Sequence, residues 1–208
     1  MTLPIYISGP HGSGKTTLIN KIKNEEIFIE NDFDINFLKQ FPSMAIMNAY
    51  ECCLLRLYHR IYTAIYASQK VEKANSFAKC KSSEFLLVSR SIYDSLVYSQ
   101  TEYSLGQMSK DEYNTLNTIA MNALQYINPY VIILNPSIDT ILARLEKRKR
   151  FNERVEREKL CAREDTYEYV KKVHEAFLKY KDNDNVLYLT DNDDDSIQQI
   201  VKWIEKLI

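Results

Sequence analysis

The chain has 208 residues, a length that a single domain (1–208) fills while still burying a full hydrophobic core. Its formal net charge is −1, so it lacks the general basic field that would hold nucleic acid or an anionic membrane. No apolar run approaches the length that spans a bilayer, and the N-terminus lacks a signal-peptide layout, so we expect a cytoplasmic protein.

Strand-like and helical patterns alternate along the chain. Unbroken apolar or β-branched runs predict strands at 3–8, 27–29, 85–88, 130–134 and 186–189. Apolar residues at helical spacing predict helices at 15–23, 44 to about 73, 109–127, 138–148, 166–180 and 196–208. Ser109 and Glu112 have the spacing of a capping box at the start of the third of these helices. Alternation of this kind predicts an α/β fold, with a five-stranded parallel sheet flanked by helices.

Glycine is scarce and concentrated at one place. Three of the four glycines, Gly9, Gly12 and Gly14, lie within six residues, between the first predicted strand and the first predicted helix. Residues 9–16 match the phosphate-binding pattern G-x-x-x-x-G-K-[ST] at every position, and we call this segment the P-loop. The pattern predicts a three-layer P-loop NTPase fold. The residues expected to bind ATP are Gly9, Pro10, His11, Gly12, Ser13, Gly14, Lys15, Thr16 and Thr17.

The end of this motif carries two chemical groups. In a P-loop the backbone N–H groups and the helix N-terminus bind phosphate oxygens, while the lysine reaches the β- and γ-phosphates. We therefore predict that Lys15 is catalytic and that the hydroxyl of Thr16 is a ligand of Mg²⁺. A P-loop also occurs in switch or binding proteins, but no N-K-x-D or D-x-x-G signature follows here.

Arg90 follows the third predicted strand. In a parallel sheet the carboxyl ends of the strands face the ligand crevice, so an arginine there is placed to pair with an acceptor phosphate in bidentate fashion. The alternative is a surface arginine that caps the next helix. We predict Arg90 to be both catalytic and substrate-binding.

At this segment the chain resembles the thymidylate kinase and deoxynucleoside kinase families. Thymidylate kinases carry D-R-Y-x-x-S-x-x-A-Y-Q, which this chain matches loosely through Arg90 and Tyr98. Deoxynucleoside kinases carry E-R-S-x-Y-S-D-R, whose middle matches Arg90, Ser91, Ile92 and Tyr93. The resemblance implies a homodimer that transfers the γ-phosphate of ATP to a nucleoside monophosphate, with dTMP as the leading acceptor. The alternative acceptor is the 5′-hydroxyl of a deoxynucleoside.

The chain also departs from these families. Ser89 stands where they carry an acidic residue before the arginine. His11 occupies a P-loop position where thymidylate kinases carry an aspartate that contacts the acceptor sugar, and it is a candidate for the same contact. The Glu-Pro of the second strand is missing, and Glu30, Asp32 or Asp34 is a candidate to replace its carboxylate; we choose Glu30 as substrate-binding.

Two further groups of arginines complete the predicted site. Arg144 and Arg148 match the R-x-x-x-R that opens the lid of the resembling families, which implies nucleotide binding by Arg144 and catalysis by Arg148. A mobile helical lid at about 147–165 would carry arginines over the triphosphate, although a solvated helix with i,i+4 pairs explains the same charges. Arg56 and Arg60, one turn apart, are candidates to reach the acceptor, with surface salt bridges as the alternative.

Overall fold

Strands and helices alternate along most of the chain. The structure is a computed structural model and describes residues 3–22, 28–30, 47–77, 85–150 and 163–207, with the backbone alone at 28–30, 74–77 and 149–150. The strands are β1 Leu3–Ser8, β2 Phe28–Glu30, β3 Phe85–Ser89, β4 Tyr130–Leu134 and β5 Val186–Leu189. The helices are α1 Lys15–Ile22, α2 Ala49–Phe77, α3 Ile92–Ser104, α4 Lys110–Ile127, α5 Ile138–Arg150, α6 Tyr167–Leu178 and α7 Asp194–Glu205.

Within the described residues the strands form one parallel sheet in the order β2-β3-β1-β4-β5. β1 lies between β3 and β4, with Ile5 paired to Leu87 on one side and to Tyr130 on the other. The predicted α/β architecture with a parallel sheet is confirmed. In this order the loops after β1 and β3 are neighbours, so the P-loop and Arg90 share one edge of the sheet.

Alternate residues of the strands enter two different cores. Ile5 and Ile7 of β1 pack into the layer that contains α1 and α7. Tyr6 points to the opposite face, into the larger layer formed by α2, α3, α4 and α6. Because side chains of a strand alternate between faces, burial of every residue from Ile5 to Ile7 requires helices on both sides of the sheet.

Helix α3 is absent from the predicted elements and is a correction to them. Ten of its 13 residues are buried, so it has no polar face from which a helical period can be recognised. Its hydroxyl side chains stay satisfied inside the helix, since Ser99 and Thr101 each donate to a backbone carbonyl four residues earlier. By contrast, α4 starts at the predicted capping box, in which Ser109 and Glu112 bond each other's backbone N–H groups.

Two further outcomes concern the predicted lid and membrane association. Most of the predicted lid, residues 151–162, lies outside the described residues, so the prediction of a helical lid stays a prediction. Among the described residues, no helix combines the length and the apolar character needed to cross a bilayer.

Candidate active site

The P-loop needs its glycines at positions where backbone or neighbouring side chains come close. Gly9 has φ +140°, and an added Cβ would collide with the carbonyl oxygen of Leu134 in β4. Gly14 has φ +99°, and a Cβ there would lie 2.9 Å from both Arg144 and Asn192. Glycine adopts such positive φ angles at no steric cost and, lacking a Cβ, permits such close approaches. The sequence motif therefore corresponds to a tightly enclosed loop.

Lys15 is buried and is bonded to the loop to which it belongs. Its ammonium group donates to the carbonyl oxygens of Gly9 at 2.9 Å and Pro10 at 2.6 Å, and to the hydroxyl of Ser13 at 3.2 Å. Burial lowers the pKa of Lys15 well below its usual value, and the positive charge of Arg90 lowers it further. Phosphate oxygens carry negative charge and are stronger partners for an ammonium group than these neutral oxygens.

Four further residues of the predicted nucleotide site lie at the same loop: Arg144, Arg148, Thr16 and Thr17. Arg144 donates to the carbonyl oxygen of Ser13, and its second guanidinium nitrogen lies 3.4 Å from the side-chain oxygen of Asn192. Arg148 is close enough that its charge contributes to the lowered pKa of Lys15. Thr16 and Thr17 are exposed at the start of α1. The residues predicted to bind the nucleotide are therefore brought together by the fold.

Arg90 occupies a strained backbone position immediately after β3. Its φ of 72° lies in the left-handed region, which residues other than glycine seldom adopt. Its backbone N–H donates to the carbonyl oxygen of Ile7 at 2.8 Å, and its guanidinium donates to that of Gly9 at 3.2 Å and to Asp94 at 2.8 Å. Strain of this kind persists where the surroundings enforce it, and it is common at functional sites.

Asp94 is a fully buried carboxylate beside Arg90. Its other oxygen accepts the backbone N–H of Ser91 at 2.9 Å, which completes a capping box at the start of α3. Burial alone raises the pKa of Asp94, but the charges of Arg90, Arg60 and Lys15 outweigh burial and the net shift is downward. Asp94 is therefore held as a carboxylate among three cations.

His11 joins the P-loop to α3 and to the end of the predicted lid. Its backbone N–H donates to the hydroxyl of Tyr98 at 3.0 Å, and its ring nitrogen Nδ1 lies 3.0 Å from the same hydroxyl. Its Nε2 donates to the carbonyl oxygen of Glu164 at 2.8 Å and lies 3.4 Å from the carboxylate of Asp165. Burial lowers the pKa of His11, but Tyr98, Asp165 and Glu164 outweigh burial and the net shift is upward.

Three consecutive charged residues attach the end of the predicted lid to three different elements. Arg163 pairs with Glu102 of α3 at 2.8 Å, and Glu164 pairs with Arg56 of α2 at 3.1 Å. The third, Asp165, faces His11 of the P-loop. We call residues 163–165 the lid anchor. Its contacts bring α2, α3 and the P-loop to a common point.

Arg60 on α2 and Glu30 on β2 are the remaining candidates for binding the acceptor. Arg60 donates to the hydroxyl of Ser95 at 2.6 Å, and burial lowers the pKa of Arg60 to about 10. Glu30 is the last residue of β2 and is paired along the backbone with Leu87 of β3. The side chain of Glu30 lies outside the described residues, as do Asp32 and Asp34.

Sequence reasoning missed the carboxylates of this site. Glu164 and Asp165 fall within the predicted lid, but their partners Arg56 and His11 are distant along the chain. Asp94 had a recognisable signal, because a serine followed three residues later by an acidic residue is a capping-box pattern. The described residues contain no group of three or more His, Cys, Asp or Glu side chains that would hold a metal ion.

Comparisons with known proteins agree with this geometry. The family model of the deoxynucleoside kinases matches residues 5–208. The structure is similar to deoxyadenosine kinase from M. mycoides with bound dATP, at 18% identity and a TM-score of 0.59 over 98% of each chain. It is similar to the same enzyme with bound dCTP, at 19% identity and a TM-score of 0.58, over 99% of this chain and 100% of the other.

At these identities the solved structures support the fold, whereas the family model covers nearly the whole sequence. The chain therefore belongs to the deoxynucleoside kinase family. The prediction of an ATP-dependent phosphotransferase is confirmed.

Proposed function

We propose that this member of the deoxynucleoside kinase family transfers the γ-phosphate of ATP to the 5′-hydroxyl of a deoxynucleoside. The O5′ oxygen attacks the γ-phosphorus, the bond to the β,γ-bridging oxygen breaks, and ADP leaves while the hydroxyl proton passes to a base. The dTMP acceptor that the sequence favoured first is not confirmed. Family membership supports the alternative acceptor instead.

One observation carries this choice. A monophosphate acceptor brings two negative charges and needs cations that are free to receive them. Two of the three arginines expected at the acceptor, Arg56 and Arg90, each pair with a buried or nearly buried carboxylate, Glu164 at 3.1 Å and Asp94 at 2.8 Å. The third, Arg60, bonds the hydroxyl of Ser95 and lies close enough to Asp94 for that carboxylate to raise its pKa. A neutral nucleoside leaves both pairs intact, whereas a phosphate has to compete with two carboxylates.

The donor half of the site has the opposite character. Within the part of the chain that the structure describes, the hydrogen-bond partners of Lys15 are neutral oxygens, and Arg144 donates to a backbone carbonyl. A triphosphate exchanges these partners for charged oxygens, which strengthens each hydrogen bond. Lys15 and Arg148 then stabilise the charge that develops on the transferring phosphoryl group.

Mg²⁺ fits the residues at the start of α1. In ATP-dependent enzymes Mg²⁺ keeps several waters and takes one or two protein oxygens besides the substrate phosphates, so a cluster of carboxylates is not needed. The exposed side chain of Thr16, adjacent to Lys15, is the residue that would hold it. A Mg²⁺ ion held there would supply positive charge that offsets part of the charge of the triphosphate.

Glu30 is the residue we propose as the base. Its position at the carboxyl end of β2, next to β3, is on the edge of the sheet that carries the P-loop and Arg90. A carboxylate within hydrogen-bond reach of the 5′-hydroxyl accepts the proton as the phosphoryl group is transferred. His11 is proposed to contact the acceptor sugar, and Tyr98 the acceptor, by exchanging the contacts that now join them.

The experiment is a product assay with ATP and Mg²⁺ across the four deoxynucleosides and their monophosphates, followed by mass spectrometry. We expect a deoxynucleoside to yield its 5′-monophosphate and expect Lys15→Ala to remove the product. Conversion of dTMP to dTDP, with no product from any nucleoside, would overturn the proposed acceptor. The homodimer and the cytoplasmic location implied earlier stay predictions, and light scattering on the purified protein tests the first.

A further inference from the structure

Position 89 is where the family pattern carries an acidic residue and this chain carries an exposed serine. A carboxylate nevertheless lies beside Arg90, because Asp94 approaches it from the first turn of α3. We propose that Asp94 is a positioning residue for phosphoryl transfer, which acts by holding the guanidinium of Arg90 against the P-loop. This inference rests on the proposed phosphotransferase function, although not on which deoxynucleoside is accepted.

Both oxygens of Asp94 are committed to the protein. Oδ1 accepts from Arg90 at 2.8 Å and Oδ2 accepts from the backbone N–H of Ser91 at 2.9 Å. The side chain has no exposed surface. A carboxylate enclosed in this way, with each oxygen bonded to the protein, is not accessible to a substrate or metal from solvent. Asp94 therefore acts on the reaction through Arg90.

The same contacts tie α3 to the P-loop. The guanidinium nitrogen of Arg90 that bonds Asp94 also donates to the carbonyl oxygen of Gly9 at 3.2 Å. A second link joins the hydroxyls of Ser8 and Ser91 at 2.7 Å, both of them buried. With the left-handed backbone of Arg90 between these links, the guanidinium has a restricted set of positions.

The surrounding charge explains why a carboxylate is needed. Lys15, Arg60 and Arg90 all act on Asp94 as cations. Arg90 and Arg60 both lower the pKa of Lys15, and Arg90 also lowers the pKa of Arg60. Without Asp94 these cations would repel one another in a partly buried region. Arg90 is the least enclosed of the groups bonded to Asp94, with a 30% exposed side chain, and would turn toward solvent.

Asp94→Asn is the test, with Glu112→Gln as its matched control. Asparagine keeps the acceptor for the backbone N–H of Ser91 and removes the charge that holds Arg90. Glu112 completes the corresponding capping box of α4, where it bonds Ser109 at the surface. We expect kcat to fall about 10- to 100-fold in Asp94→Asn, the scale of one hydrogen bond to a charged group, with the KM for ATP changed less than about threefold. In Glu112→Gln, kcat and the KM for ATP are both expected to stay within about twofold of the wild-type values.

A double-mutant cycle separates positioning from general destabilisation. If Asp94 acts through Arg90, the loss of kcat in Arg90→Ala already includes the loss of kcat in Asp94→Asn. The kcat of the double variant should then lie within about threefold of the kcat of Arg90→Ala. Effects that multiply would show that Asp94 acts by another route and would overturn the inference. A kcat for Asp94→Asn equal to that of Glu112→Gln would overturn it as well.

The experiment remains decisive if Asp94→Asn does not give a cooperative thermal transition. Asp94→Glu then replaces it, because glutamate keeps the charge and displaces it by one methylene. We expect at least a tenfold loss in kcat with ATP binding retained, and an unchanged kcat would overturn the inference. Inactivity of the wild-type protein on every deoxynucleoside would instead refute the proposed function, and the two failures are therefore distinguishable.

Discussion

The donor and acceptor halves of the site hold their cations differently. In the donor half, the P-loop, the ammonium group of Lys15 donates hydrogen bonds to backbone carbonyls and a hydroxyl. In the acceptor half, formed by α2, the start of α3 and the lid anchor, Arg56 and Arg90 form ion pairs with carboxylates. The difference indicates which molecule each half can bind, since positive charge hydrogen-bonded to neutral oxygens suits a triphosphate and positive charge paired with carboxylates suits a neutral molecule.

The largest effect is expected in the donor half. Lys15→Ala removes the ammonium group that the triphosphate would engage, and loss of one such pre-organised group costs on the order of 10²- to 10³-fold in rate. The fold should persist, because the glycines still permit the backbone conformation of the loop and Arg144 still bonds the carbonyl oxygen of Ser13. Steady-state turnover and a thermal melt check both statements. Retention of more than a third of wild-type turnover would contradict the assignment of the P-loop lysine.

Glu30→Gln tests whether the acceptor is a hydroxyl. Removing a general base costs roughly 10²-fold or more in kcat when a hydroxyl proton has to leave. A monophosphate oxygen needs no base, so the same variant would then lose little. The measurement is kcat on the best deoxynucleoside, with Glu112→Gln as a carboxylate-to-amide control on the surface of α4. A near-normal kcat of Glu30→Gln on that deoxynucleoside would show that another residue is the base.

Arg90→Ala should affect the acceptor half and spare the donor half. The guanidinium bonds the carboxylate of Asp94, and losing a hydrogen bond to a charged group has a scale of about 10- to 100-fold, expected here in kcat/KM for the acceptor. The KM for ATP is expected to change little, since Lys15 and Arg144 remain. Initial rates with each substrate varied in turn separate the two constants. Loss of ATP affinity with unchanged acceptor constants would mean that the two halves are assigned the wrong way round.

The smallest effect concerns the contact between His11 and the lid anchor. The pKa of His11 is raised above 6.5, so its stabilising contribution is fully present below pH 6.5 and is lost as the pH rises through the folded pKa. A charge-assisted contact of about 1 kcal/mol corresponds to a decline in Tm of roughly 2–4 °C for a chain of this size. Thermal melts between pH 6 and pH 9 measure it.

His11→Gln should remove this part of the pH dependence. His174 on α6 offers the matched control, because burial lowers its pKa and its contribution has the opposite sign. His174→Gln should therefore leave the decline in place or make it steeper. An equal decline in the wild type and in His11→Gln would exclude His11 as its source.

The same two halves differ in how far the sequence predicts them. The P-loop is continuous in the chain, and the strands around it are apolar runs buried on both faces, so β1, β4 and β5 have the predicted bounds. The contacts of the acceptor half join residues that are distant in the chain, such as His11 and Glu164, which are 153 positions apart. Spacing along the sequence contains no information about such pairs, although the arginines themselves were recognised.

Helix α3 illustrates a second limit. Amphipathic periodicity identifies helices that have one buried face, and α3 is buried on nearly all sides. Its first turn contains Asp94, so missing the helix also meant missing the carboxylate that pairs with Arg90. The capping-box pattern was recognised at Ser109 and Glu112, and the same pattern at Ser91 and Asp94 would have predicted where α3 begins.

The lid anchor makes the chain intolerant of length changes at one place. Arg163, Glu164 and Asp165 each match a partner of suitable charge on a different element. Deletion of Glu164 would draw Arg163 into its place opposite Arg56, and two guanidinium groups would then face each other. Substitution of one anchor residue leaves the other two matched, whereas a one-residue shift mismatches several at once. Insertions and deletions among relatives should therefore stop before Arg163, and a chimaera that exchanges the preceding segment should place its junction on the N-terminal side of it.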